Sequence, residues 1–346
     1  MKAFKYILFL LLILVIGLAI YIAVQPNSFE VTRTHTINAP QQVVYNEVID
    51  LKNWEDWSAW KEEDPNIVMT YPEKTEGVGG SYTWEDEDGI GTMKTIGANP
   101  HSQIQLEMQF AEFPKSDVNL YFEPTEDGKT DVTWTISGED LPFQFKMFSA
   151  LMGGMESEIG PKYERSLEML DSVIVADMKR YSIDIDGITQ HSGGYYIYKT
   201  ASCKISDYPA KMQELFPQVG AYAVTHNVAF AGAPFVYIEK WDEENDAVIF
   251  SCCIPTQTKI VSAEPDILIG QLQPFTTLKT VLKGDYSNLS EAWEKAFEFI
   301  ESSPNYERVE NGPMLEAYPT DPSEFPNPAD WVTEIYIAVK PTIVLE

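Results

Sequence analysis

From Tyr6 to Val24 the chain reads YILFLLLILVIGLAIYIAV, 19 consecutive residues without a charge. In hydrocarbon every backbone polar group must be bonded within its own segment, so a run of this kind is a helix. At 1.5 Å per residue it is about 28 Å long, close to the thickness of a bilayer's apolar layer. It has no polar face, which argues against a helix packed on a soluble core. Lys2 and Lys5 precede the run, and uncharged Gln25, Pro26, Asn27 and Ser28 follow it. That asymmetry predicts a single-pass membrane anchor over residues 1–27, with a cytoplasmic N-terminus and extracytoplasmic soluble domains. A cleaved signal peptide is the competing reading. Gly17-Leu18-Ala19 offers a small-x-small cleavage site, but the apolar run continues past it and exceeds the usual signal core.

The 346 residues carry 24 basic and 53 acidic side chains, net −29. The excess is spread along the chain: 12 basic against 29 acidic from Gln25 to Arg180, and 10 against 24 from Tyr181 to Glu346. Both halves repel a phosphate backbone, so no nucleic-acid partner is expected. An apolar fraction of 44% is enough for two ordinary cores and excludes disorder. Cys203, Cys252 and Cys253 show no CxxC spacing, and His35, His101, His191 and His226 lie far apart. Neither set makes a metal site, and no metal or other cofactor is expected. Cys252 and Cys253 are adjacent in an expected strand and point to opposite faces, so at most one of them meets Cys203.

Residues 28–179 read as one domain. FEVTRTHTI (29–37) alternates as a strand does, and Asn38-Ala39-Pro40 ends it before a helix with Val43, Val44, Glu47 and Val48 at helical spacing. Trp54, Trp57 and Trp60 follow, and are expected chiefly to close one end of the core, with the lining of a cavity as the alternative. Short strands come next, among them SYTW (81–84), QIQLEMQF (103–110) and DVTWTI (131–136). The acidic run Glu85-Asp86-Glu87-Asp88 lacks a DxDxDG loop and is expected as a solvated turn. A long helix ends the segment, with Tyr163, Leu167, Leu170, Ile174 and Met178 as its apolar stripe and Pro161 at its first position. THTINAP, NEVIDLKNWEDWSAW, GVGGSYTW and DVTWTISG, in this order of elements, resemble the START-like (SRPBCC, polyketide cyclase-like) superfamily. The resemblance implies a helix-grip fold, a curved sheet around a long helix with an apolar cavity between them. It carries over no catalytic residue.

Residues 180–194 are expected as a linker, loosened at Ser182 and Gly187. Beyond them an internal repeat of roughly 80 residues is expected, with strand, helix, strand and strand in each copy. The first copy has strands 195–204, 235–240 and 247–254 and a helix over 208–222. The second has strands 274–282, 312–318 and 331–339 and a helix over 290–300, N-capped by Ser290. AGAPFVYIEKWD, VIFSCCIPT, LKTVLKGDYSNLSEAWEKAFEFI and MLEAYPTDPSEFPNPADWVTEIYIAVK resemble the GyrI-like, or AraC-type effector-binding, domain over 195–346. That resemblance implies two βαββ units around a small-molecule cleft, giving an α+β chain of anchor, START-like domain and duplicated GyrI-like domain. No helix-turn-helix region accompanies them.

The resemblance also implies a cleft carboxylate, and aligning the two copies on their last strands assigns it to Glu334, with Ser251 as its pseudo-symmetric mate. Tyr237, Tyr286, Tyr318 and Trp331 are the expected aromatic partners, suited to a hydrophobic or cationic organic ligand through charge and cation–π contact. The expected function is membrane-tethered small-molecule binding. Two alternatives stand beside it: a small-molecule hydrolase with Glu334 as general base, and a structural protein with collapsed cavities.

Overall fold

In the computed structural model, residues 2–262 and 264–342 are described, and the chain divides into two compact units, Met1–Asp177 and Met178–Glu346. In the first unit the apolar run forms helix α1 (Lys2–Ala23), of which Phe4–Ala23 is long and apolar enough to cross a membrane. Strand β1 (Phe29–Ile37) leads through Pro40 into α2 (Gln41–Ile49) and two short helices, α3 (Trp54–Trp57) and α4 (Ala59–Glu63). Strands β2 (Val68–Thr70), β3 (Ser81–Asp86), β4 (Gly89–Asn99), β5 (Gln103–Phe110), β6 (Ser116–Pro124) and β7 (Thr130–Gly138) complete an antiparallel sheet. Its order is β1-β7-β6-β5-β4-β3-β2, so the first strand closes against the last, with Phe29 opposite Gly138 and Ile37 opposite Thr130.

Helices α5 (Phe143–Met152) and α6 (Met155–Met178) follow. Gly153 ends α5 in the left-handed region at φ 91°, a conformation that costs glycine nothing. The expected stripe of α6 is buried through Tyr163, Leu167, Leu170 and Ile174, and the Tyr163 ring stacks on Trp134 of β7 at 3.8 Å. The helix begins earlier than expected: Pro161 lies inside it as its seventh residue, and not at the first position. Trp54 and Trp57 are core residues packed on Trp134, whereas Trp60 stays partly exposed against Tyr163. The acidic run is a hairpin tip, where Asp86 Oδ1 accepts from the N–H groups of Asp88 and Gly89 at 2.9 Å.

The second unit starts on a strand. Within residues 180–194, expected as a linker, Ser182–His191 forms strand β8, paired antiparallel with a strand ninety residues further on. Ile183, Ile185 and Ile188 alternate into the core, and Gly187 (φ 93°) takes up a register shift without breaking the strand. The remaining elements are β9 (Gly194–Cys203), α7 (Tyr208–Thr225), β10 (Phe235–Asp242), β11 (Ala247–Thr256), β12 (Leu268–Leu272), β13 (Phe275–Lys283), α8 (Leu289–Ser302), β14 (Tyr306–Arg308), β15 (Met314–Ala317) and β16 (Val332–Pro341). The sheet order is β12-β9-β11-β10-β15-β16-β13-β8, with β14 paired to β16.

Helix α8 starts at Leu289, so Ser290 is its second residue and not its cap. Its N-cap is Asn288, which makes no side-chain capping bond, and the Asp285 carboxylate caps the 3₁₀ turn before the helix by accepting from Ser287 N–H at 2.8 Å. Ala292, Ala296 and Ile300 of α8 pack on Leu278, Leu282, Ile335 and Ile337. Tyr208 and Leu215 of α7 pack on Val236, Ile238, Val248, Phe250 and Cys252, a cluster that Trp293 of α8 also joins. Both helices therefore lie on one face of the sheet. The three cysteines are free thiols, and Cys252 and Cys253 face opposite sides as their adjacency requires.

Candidate functional site

A cavity of about 1540 Å³ opens on the helical face, walled by α7, α8, the bulged strand β10 and the segment 308–322. Its floor comes from β15. Side chains alternate along a strand, so Leu315 points away from the helices into the cluster with Tyr196, Phe235 and Cys253, while Met314 and Glu316 point into the cavity.

Glu316 is only 3% exposed, yet both of its carboxyl oxygens are hydrogen-bonded. Tyr208 Oη donates to its Oε2 at 2.9 Å, Tyr318 Oη to the same oxygen at 2.6 Å, and Trp293 Nε1 to Oε1 at 2.6 Å. All three donors are neutral. No lysine or arginine forms an ion pair with Glu316 among the described residues, so the carboxyl group is oriented by neutral donors without a basic partner. An ion moved from water into a protein interior loses solvation worth several kcal/mol, which neutral donors offset only in part. The neighbouring phenols respond to the same setting: burial, with Glu316 next in weight, holds Tyr208 and Tyr318 well above the usual phenol range. Tyr286 is pushed up to about 12 by burial, then by Asp321 and Asp285.

The rest of the wall is apolar or acidic. Met212, Phe216, Trp241, Tyr286 and Phe297 contribute apolar surface, and Tyr318 stands edge-on between Tyr286 and Phe216 at 5.7 and 5.9 Å. Of the charged residues lining the cavity two are basic and seven acidic; Glu239 turns its carboxylate to Ser251 on the other face of the sheet, which leaves Asp242, Glu243, Glu244, Glu294, Glu316 and Asp321. Lys240 is already paired with Asp242 at 2.8 Å, and Arg308 lies over the Phe297 ring at 5.7 Å. The cavity therefore presents a negative, aromatic interior.

The residues expected from the sequence divide between the two faces of the sheet. Tyr286 and Tyr318 line the cavity, and Trp331 lies outside the lining with its ring 4.7 Å from Tyr286. Glu334, Tyr237 and Ser251 do not meet them. Thr333, Ile335 and Ile337 are buried, the two isoleucines in the α8 cluster, so Glu334 projects from the opposite face and the sheet separates it from the cavity. There it accepts from Tyr336 Oη at 2.6 Å and pairs with Lys279 at 2.9 Å, an already satisfied carboxylate. Tyr237 packs with Leu315 and Tyr336 on that same face, and Ser251 is buried between Thr200 and Glu239 at 2.7 Å from each. Among the acidic residues lining the cavity Glu316 is the buried one, and Tyr208 and Trp293 join Tyr318 as its partners. The legible signal was a lone acid in the apolar stretch MLEAY, two residues before a tyrosine.

Residues 195–340 match the family described as GyrI-like small molecule binding domain. Among solved structures the chain is similar to the C-terminal domain of EcmrR, at 16% identity over 47% of this chain and 99% of that one, TM-score 0.40. It is also similar to EcmrR in its complex with DNA, at 14% identity over 63% and 90%, TM-score 0.41. A protein of Thermus thermophilus is 16% identical over 43% and 98%, TM-score 0.33. No curated protein matches the chain.

Proposed function

We propose that the chain is a membrane-tethered receptor for hydrophobic organic cations, with the cavity over Glu316 as its binding site. The observation that carries this reading is the buried Glu316 carboxylate, without a basic partner, at the floor of an aromatic cavity. A cation entering there supplies the missing counter-charge while its apolar body covers Tyr286, Tyr318 and Trp293. The acidic rim favours the same sign of ligand, because a cleft of one charge raises the local concentration of the opposite one. A neutral ligand of the same shape gains the apolar contact alone.

The reading extends to the rest of the chain. Helix α1 serves as an uncleaved anchor with its N-terminus in the cytoplasm, supported by its length, its exposure and the lysines at Lys2 and Lys5. Residues 28–179 form a START-like domain, supported by the seven-stranded antiparallel sheet packed on α6. Residues 195–346 form a duplicated βαββ domain, supported by the order β9-α7-β10-β11 and β13-α8-β15-β16. The net charge of −29 speaks against nucleic acid as a partner.

The test is a thermal-shift series on the full chain in neutral detergent, with lipophilic cations and neutral or anionic molecules of equal size. A ligand held at about 100 times its Kd adds about 2.7 kcal/mol to the stability of the domain that binds it. Cations are expected to raise the melting temperature and neutral analogues to raise it less. Equal shifts for cationic and neutral members of a pair would refute the assignment.

A further inference from the structure

Helix α5, FQFKMFSALM, carries a single charge, Lys146. Phe143 is 46% exposed and Met147 40%, and their i, i+4 spacing sets them side by side on one face. Phe145 turns the other way, stacked on Phe29 at 5.7 Å and edge-on to Phe113 at 5.3 Å. One aromatic thus fastens the helix to its domain while two large apolar side chains are held outward.

What lies beside that face is set by α1. The two helices pack on each other, and Ile22, near the end of α1, is 3% exposed in contrast to the bare residues before it. The chain leaving α1 is then fastened to the segment that begins α5. Leu141 N–H donates to the Asn27 carbonyl at 3.1 Å, and Asn27 Nδ2 donates to Asp140 Oδ1 at 3.2 Å. Between Ala23 and Asn27 the chain spans at most about 14 Å even when extended. Wherever the end of the apolar span emerges from hydrocarbon, α5 is at the surface it emerges from.

We propose that α5 is an interfacial helix that lays Phe143 and Met147 into the headgroup–acyl boundary of the membrane that α1 crosses. The proposal rests on the reading of α1 as a membrane span. It adds a second contact, which fixes how the first unit stands on the bilayer where a single tether would let it swivel. The contact works by burial of apolar surface. With one lysine on the helix and a net charge of −29 on the chain, attraction to anionic lipid contributes nothing to it.

The experiment reconstitutes the full chain into phosphatidylcholine vesicles containing a phosphatidylcholine with a photoactivatable group high on its acyl chain, and maps the adducts by mass spectrometry. Adducts are expected on α1 and on the peptide spanning α5, unchanged by high salt or by omission of anionic lipid. The double variant Phe143→Gln, Met147→Gln is expected to lose the α5 adducts and keep those on α1, which also reports that the protein is still inserted. Adducts on α1 alone in the parent chain would overturn the proposal and leave the tether standing. Absence of adducts on α1 would overturn the tether and the proposal with it. Labelling of α5 that needs anionic lipid, or that survives the double variant, would overturn the apolar mechanism.

Discussion

Tyr318 Oη donates to Glu316 Oε2 at 2.6 Å from two residues further along the chain, on the same side of the sheet. The residue that follows β15 thereby orients the charge that β15 buries. Tyr318→Phe deletes one of three donors and leaves a buried carboxylate less well solvated. The expected cost is about 1–3 kcal/mol of stability. Chemical denaturation of the variant beside the parent measures it, and an unchanged midpoint would show that the bond contributes nothing.

Burial of the cavity phenols has a consequence at high pH. Tyr208 and Tyr318 ionise well above the ordinary phenol value of 10.0, and Tyr286 at about 12. A group whose folded pKa is raised contributes its full stability below the unfolded value and loses it as pH climbs towards the folded value. Unfolded phenols release protons from about pH 10 while these three retain theirs. Stability is therefore expected to hold up to about pH 10 with respect to these groups and to fall between about 10 and about 12. Denaturation midpoints measured across that window check this, and Tyr286→Phe is expected to flatten the decline.

In the first unit, Ser166 of α6 is fully buried and its Oγ accepts from Ala59 N–H at 2.9 Å, joining the long helix to the start of α4. Ser166→Ala leaves that amide without its partner in a dry site, at an expected cost of about 1–3 kcal/mol. Ser166→Thr keeps the acceptor but adds a methyl group to a packed interface, so it separates the lost bond from overpacking. Urea denaturation followed by tryptophan fluorescence reads this unit, because Trp54, Trp57 and Trp134 lie in its core.

Much of this architecture was legible in the sequence because strand and helix periods differ. The alternation in FEVTRTHTI and QIQLEMQF became β1 and β5, and the stripe from Tyr163 to Ile174 became the buried face of α6. The strands and helices expected after residue 195 recur within about three residues of their observed ends. Gly187 and Ser182 suggested loose chain, although Ile183, Ile185 and Ile188 kept a strand's burial, since a bulge accommodates one glycine without ending pairing. The sequence reading placed the cleft carboxylate at Glu334 and did not single out Glu316, because alternation says which residues share a face but not which face the helices cover. That is decided by contacts between residues far apart in the chain, such as Trp293 with Glu316.

The most direct measurement of the central claim is a calorimetric titration of a lipophilic aryl-ammonium cation and its neutral carbon isostere into the parent chain, Glu316→Gln and Glu334→Gln. The parent is expected to prefer the cation, and Glu316→Gln to lose that preference, by about 1.5–3 kcal/mol as for a charge-assisted contact, while still binding the neutral isostere. Glu334→Gln, on the far face of the sheet, is expected to bind both ligands as the parent does. Loss of cation selectivity in Glu334→Gln with Glu316→Gln unaffected would contradict the account and move the site to the other side of the sheet.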